Sequence, residues 1–549
     1  AVGAGGDARD VRNRRVGAAE GHGAGHEAVG KEPGRLHVAY RDHGSGNGVA
    51  AGREILPAAP SILLAGRPRV THGVASGDVD ATSAVVWARS DQAARMIVEW
   101  SEDEAFTSRR RRAGEVTGVS ADHTAKMRLQ GLPPGRRVFY RVCFEDRQGV
   151  AGDWETGSLV TAGTGAGRGR EPRVDFVWSG DTCGQGYGID EDRGGMRTYA
   201  SMLAQDPQFL VHSGDTIYAD DALPAEIRLP DGTLWRNRLT EEKSKPAETL
   251  DEFRGNHRYN LLDPQVRRFH ARVPVFAQWD DHEVLNNWYP GERLPAASGY
   301  RVREVDLLAA RSRQAFFEYQ PIRSHPDRRI FRRIRRGSLC ELFFLDLRSY
   351  RSPNGPNRQP MRGPDTAYLG SAQLAWLKEA MAASTATWKF VCSDMPLGLV
   401  VRDGPDAFEN AANGDGPPLG RELELASLLR HLRDHRVRNV VWLTADVHYC
   451  ASHFYDPARA QFGEFDGFWE FVSGPLHAGT FGPGILDDTF GPQVRYSSRR
   501  PGQTPSGPWT ADQFFGRVGI DPVTHVARVS HLDRDGRHLW GIDLEPAAS

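Results

Sequence analysis

The chain has 549 residues, 39% of them hydrophobic, with 69 Lys+Arg against 71 Asp+Glu and a formal net charge of −2. That length leaves room for two to four domains and a sizeable core, and the near-neutral charge argues against a bulk polyanion binder such as a nucleic-acid-coating protein. No run of 18 apolar residues occurs, so no membrane-spanning helix is expected. The five cysteines are odd in number and lack a CxxC pair, so they do not read as a disulfide framework.

Residues 1–67 are rich in Gly, Ala, His and charge without a period of 2 or 3.6, and read as a disordered or non-native extension. Residues 68–165 change character. Short β-rich runs at 84–88, 96–100, 126–129 and 138–142, some of them separated by turn signals such as Pro133-Pro134-Gly135, predict a small β-sandwich of fibronectin III or immunoglobulin type. The Gly- and Arg-rich stretch 161–170 reads as a linker. From 171 to 549 strands alternate with helices. Apolar residues recur at helical spacing over 195–205, 305–319, 371–383 and 421–433, and strand runs lie at 341–345, 388–392 and 468–472. That alternation predicts a layered α/β domain. The polar stretch 219–250 reads as a surface insertion near the mouth of the site, and 523–544 as a hairpin turning at Asp533-Arg534-Asp535-Gly536.

The chemistry concentrates where apolar runs end in acids. Strand 176–179 leads to Asp181 and Cys183, 209–213 to Asp215 and Tyr218, 275–279 to Asp280, Asp281, His282 and Glu283, and 440–444 to Asp446 and His448. Four such ends in one sheet would gather their side chains in the crevice at its carboxyl edge. The donor set of carboxylates, imidazole, phenol and thiol suits more than one metal ion. Tyr218 and Cys183 favour iron; Asp280 or Asp281, with the amide oxygens of Asn286 and Asn287, favour a harder, oxygen-liking ion such as calcium or magnesium, and Asp446 and His448 could ligate one metal each. His282 is placed to serve a substrate oxygen, and Arg348 to hold a phosphate or to form a structural ion pair. Asp394 reads equally as a ligand or a loop cap.

These motifs together resemble the calcineurin-like metallophosphoesterases, and more narrowly the alkaline phosphatase D (PhoD) family. The markers are His72-Gly73-Val74-Ala75-Ser76-Gly77-Asp78, G-D-x-x-Y at 214–218, Trp279-Asp280-Asp281-His282-Glu283-Val284 with Asn286-Asn287, Leu345-Asp346-Leu347-Arg348-Ser349-Tyr350-Arg351, and Asp446-Val447-His448. The resemblance covers about residues 68–545. It implies a four-layer αββα catalytic domain behind the β-sandwich, and a site for Fe(III) and Ca2+, with Mg or Mn acceptable in place of calcium. Carried over by position, Cys183, Asp215, Tyr218 and His448 would hold iron, with Asp181 beside them. Asp215, Asp280 or Asp281, Asn287 and Asp446 would hold calcium. It also implies export from the cell, although the chain shows no convincing signal peptide.

The expected activity is hydrolysis of phosphate monoesters or diesters by a metal-bound hydroxide or oxide, with His282 or Arg348 stabilising the transition state. The expected partner is a small phosphate ester, with no specific nucleic-acid partner and a monomeric protein. Alternatives are a phospholipase D-type phosphodiesterase, a nuclease, and a surface-binding protein whose metal site is structural.

Overall fold

The computed structural model describes residues 66–165 and 171–547. The reading of the N-terminal extension therefore falls almost wholly outside the described residues. Two large sheets lie face to face. The nine-stranded sheet runs His538–Leu544, Ala527–Asp533, Phe514–Ile520, Val174–Ser179, Leu210–Ser213, Val275–Gln278, Val70–Gly77, Ser83–Ser90, Thr124–Gln130. The seven-stranded sheet runs Arg332–Arg336, Cys340–Phe344, Trp388–Cys392, Val440–Thr444, Phe468–Val472, Ala451–Tyr455, Pro492–Ser497.

Period-2 alternation builds the layers. Phe176, Trp178, Phe209, Val211 and Phe276 of the first sheet meet Leu342, Phe344, Phe390, Leu443 and Phe471 of the second in one buried cluster. The residues between them point outward to helices. Val177, Leu210 and Val275 share a cluster with Tyr199, Phe253, Phe269 and Phe316, from helices Arg197–Ala204, Leu250–Asn260, Pro264–Arg272 and Val305–Tyr319. Phe343, Val391 and Trp442 share one with Leu374, Leu377, Leu425 and Leu428, from helices Ser371–Ala382 and Glu422–Asp434. Strands apolar on both faces can be covered only in this way, which gives the four-layer αββα arrangement.

The N-terminal strands form a seven-stranded sandwich. Arg110–Thr117, Ala94–Ser101, Arg137–Glu145 and Glu155–Val160 make one sheet. The other three strands do not stand apart: they extend the nine-stranded sheet, with Gly77 beside Val275 in parallel register. A Cβ at Gly77 would lie 2.4 Å from the Val275 carbonyl oxygen, so only glycine permits this joint. The following Asp78 is buried and locks it, accepting from Arg332 Nη2 at 2.9 Å and from the Arg323 backbone N–H at 2.8 Å. The segment 219–250 is also less superficial than expected. Trp235 and Lys243 are buried within it, and Lys243 Nζ donates to the Tyr218 carbonyl at 2.7 Å.

Candidate metal centre

The four acid-bearing strand ends come from both sheets rather than one. Val174–Ser179, Leu210–Ser213 and Val275–Gln278 are mutually parallel neighbours in the first sheet. Val440–Thr444 belongs to the second, parallel to Trp388–Cys392 and Phe468–Val472. The crevice therefore lies across the carboxyl edges of two stacked sheets. Gly214 allows the ends to converge: with φ of +106°, its Cβ position would be 2.5 Å from Asp280 Cβ. The site residues themselves turn sharply. Asp181, Cys183, Asp215, Asn287, Asp446 and His448 all have φ between +50° and +75°, a conformation costly for non-glycine residues and found where function demands it.

Among the described residues three groups of potential ligand atoms result, each within 4.8 Å of one another: Asp181, Asp215 and His448; Asp215, Asp281 and His282; and Asp280, Asp281 and Asp446. Asp215 and Asp281 each belong to two groups. Tyr218 joins the first, its hydroxyl 2.9 Å from His448 Nε2. His448 Nδ1 faces the Gly479 carbonyl, which fixes the proton on Nδ1 and leaves the Nε2 lone pair for the cluster. Burial pushes this imidazole down to about 4, so it is neutral and ready to ligate.

Burial holds Asp181, Asp215, Asp280 and Asp446 well above the usual carboxylate range, and mutual repulsion adds to it. Asp181 Oδ2 is buried with no hydrogen-bond partner, and it lies 2.1 Å from where a Cβ on Gly474 would stand. So many acids, one of them with an orphaned oxygen in a cradle that only glycine leaves open, fit bound cations and little else.

Neighbouring residues hold these ligands. Glu283 accepts from the backbone N–H groups of Asp215 (3.1 Å), Thr216 (2.6 Å) and Asp280 (2.7 Å), tying two strand ends together. Asp281 accepts from the backbone N–H of Asn287 at 2.6 Å. The Asn287 amide Nδ2 donates to Asp403 Oδ1 at 3.3 Å, which leaves its carbonyl oxygen as the available donor to an ion. His282, partly exposed, stacks on Tyr218 at 4.3 Å, with Nδ1 2.7 Å from Asp220 Oδ1. Burial opposes a charged His282, but Asp220, Asp281 and Asp215 outweigh it and hold the ring well above the ordinary histidine range.

Two expected residues stand differently. The Arg348 side chain is 0% exposed, with Nε 2.6 Å from Asp280 Oδ1 and Nη1 2.6 Å from Glu409 Oε1. Its guanidinium is committed to carboxylates, as in the ion-pair reading. Cys183 is outside all three groups. It sits in the apolar cluster with Tyr199, Ile217 and Tyr259, and burial pushes its thiol up to about 12. An ion recruiting Cys183 has to draw the thiol from that packing and deprotonate it. Asp394 caps its own loop through the Met395 N–H at 3.0 Å. Sequence reasoning missed the roles of Asp220, Glu283 and Glu409. Only Glu283 carried a signal, as the last acid of Asp280-Asp281-His282-Glu283.

The folded architecture is that of the metallophosphoesterases. It matches a solved structure of PhoD with a TM-score of 0.65 at 20% identity, over 87% of this chain and 90% of that one. It matches a purple acid phosphatase from yellow lupin (Lupinus luteus) seeds with a TM-score of 0.52 at 12% identity, over 87% and 74%. Residues 176–531 match the PhoD-like phosphatase family and residues 58–162 its N-terminal domain, and the chain belongs to that family. Alkaline phosphatase D of Bacillus subtilis (strain 168) is 27% identical over 401 residues, covering 69% of this chain. The match spans 64% of that relative's length.

Proposed function

We propose that this protein is a metal-dependent phosphoric ester hydrolase, acting on monoesters, diesters or both. The observation that carries this reading is the sharing of Asp215 and Asp281 between adjacent ligand groups, which suits neighbouring cations a few ångströms apart. Asp181, Asp215, Tyr218 and His448 would hold Fe(III), with Cys183 a further ligand once its thiolate is released. Asp215, Asp280 or Asp281, Asn287 and Asp446 would hold Ca2+, or Mg or Mn in its place. Bound together, such ions neutralise phosphoryl oxygens and lower the proton affinity of water.

The chain's own groups do the rest. Asp220 accepts the Nδ1–H of His282 and keeps the ring charged, so that its Nε2–H serves an ester oxygen. Arg348 acts at one remove, holding the carboxylates of Asp280 and Glu409 in place. Membership of the PhoD-like phosphatase family supports the reading. We further propose two functional regions, 68–165 and 171–549, a monomeric state, and a location outside the cytoplasm. No described helix is long and apolar enough to cross a membrane.

Asp215→Asn tests the assignment. The variant should stay folded, lose metal and lose hydrolysis. A folded Asp215→Asn protein with full activity would remove the reading.

A further inference from the structure

Four rings cross the centre in a row. His282 stacks on Tyr218, Tyr218 meets His448 edge-on at 6.3 Å, and His448 stacks on Phe481 at 4.6 Å and 22°. The inner two are buried. Phe481, at the far end, is 42% exposed. One of its faces covers the metal-facing histidine and the other is open to water beside the centre.

This exposure is built rather than loose. Thr480 exchanges backbone hydrogen bonds with Ser506 at 2.8 and 3.0 Å, and its hydroxyl donates to the Asp512 carbonyl at 2.6 Å. On the other side, Ile485 and Leu486 pair with Val400 and Leu399 as a short antiparallel ribbon. Between them Gly482 lies against Tyr449: a Cβ there would be 2.7 Å from the ring. An aliphatic side chain would shield His448 as well as Phe481 does. A rigidly presented aromatic face offers something an aliphatic one lacks, namely a stacking surface.

Position along this row narrows what stacks there. His282, the ring placed to serve the leaving oxygen and held by Asp220, stands at one end, and Phe481 stands at the other. A ring stacked on Phe481 is therefore carried by the alcohol that stays on phosphorus, which a diester has and a monoester lacks.

We propose that Phe481 is a substrate-binding residue, its open face stacking on a planar aromatic ring carried by the retained alcohol of a phosphodiester. This rests on the hydrolase reading and specifies its substrate class. The ring is an aryl group or a nucleobase, which share this chemistry.

The test uses the metal-loaded full chain and two diesters with the same leaving group, phenyl p-nitrophenyl phosphate and methyl p-nitrophenyl phosphate. The parent protein should favour the phenyl ester in kcat/KM by about tenfold, mostly through KM. Phe481→Leu, which keeps His448 covered, should bring the ratio close to one, and Phe481→Trp should preserve it. Metal content and Tm measured on each variant confirm an intact centre. A phenyl-to-methyl ratio unchanged in Phe481→Leu, or rates on both esters falling equally, overturns the proposal while leaving the hydrolase reading standing. Absence of metal-dependent hydrolysis of either ester overturns both. Thymidine 5′-(p-nitrophenyl phosphate) separates the two ring sources: a nucleobase source predicts a Phe481-dependent gain over the phenyl ester, and an aryl source predicts none.

Discussion

Asp220 Oδ1 lies 2.7 Å from His282 Nδ1, and its second oxygen accepts the Asn286 N–H at 2.9 Å. One carboxylate thus fixes both the His282 ring and the turn that carries Asn287. Its partner ring is partly exposed while most ligands around it are buried.

Asp220→Asn should therefore lower kcat about tenfold or more, as loss of an orienting carboxylate does, with metal content unchanged. Steady-state kinetics with esters of graded leaving-group pKa check this. The loss should be greatest for the poorest leaving groups, which depend most on a positioned proton donor. An equal loss for all esters would place Asp220 outside proton transfer.

Arg348 and its acids form a buried ionic knot. Arg348→Met leaves the buried Asp280 and Glu409 without their guanidinium partner, and should cost about 3–5 kcal/mol of stability. Denaturant unfolding of the metal-loaded variant measures it. A cost below about 1 kcal/mol would mean that the knot relaxes into solvent.

His257 supplies a pH prediction. Burial, aided by Arg258, pushes its ring from 6.5 down to about 3, and it stacks on Tyr319 at 5.3 Å. The unfolded chain binds this proton below 6.5 and the folded chain does not until about 3. The histidine therefore destabilises the fold increasingly as pH falls through that window, by up to about 1.4 kcal/mol per pH unit. His257→Phe should show a stability gain, relative to the parent, that is constant above about pH 7 and grows toward pH 5. A difference independent of pH would contradict the burial of a neutral ring.

Much of this was legible because buried strands ending in Asp leave a strong pattern. The strands Trp388–Cys392 and Phe468–Val472 and the helix Val305–Tyr319 fall where periodicity placed them. Helices Leu250–Asn260 and Pro264–Arg272 were not foreseen, although Thr249 with Glu252 forms a capping box and Asp263 caps the second with Pro264 behind it. Their polar sequences gave weak apolar periodicity, and caps alone did not stand out. Which sheet each acid belonged to was not readable either. Sheet membership of Val440–Thr444 depends on pairing across long separations, and an apolar run carries no record of its neighbour. Asp220, Glu409 and Phe481 reach the centre from loops, where tertiary position is not written in local spacing.

The most direct test of the central claim is hydrolysis of a phosphodiester before and after chelation, with element-resolved metal content measured on the same sample. The account predicts iron together with calcium or a similar hard ion, a visible absorption band from Tyr218 bound to iron, loss of hydrolysis on chelation and recovery on restoring the ions. Full hydrolysis by the metal-free protein would contradict it.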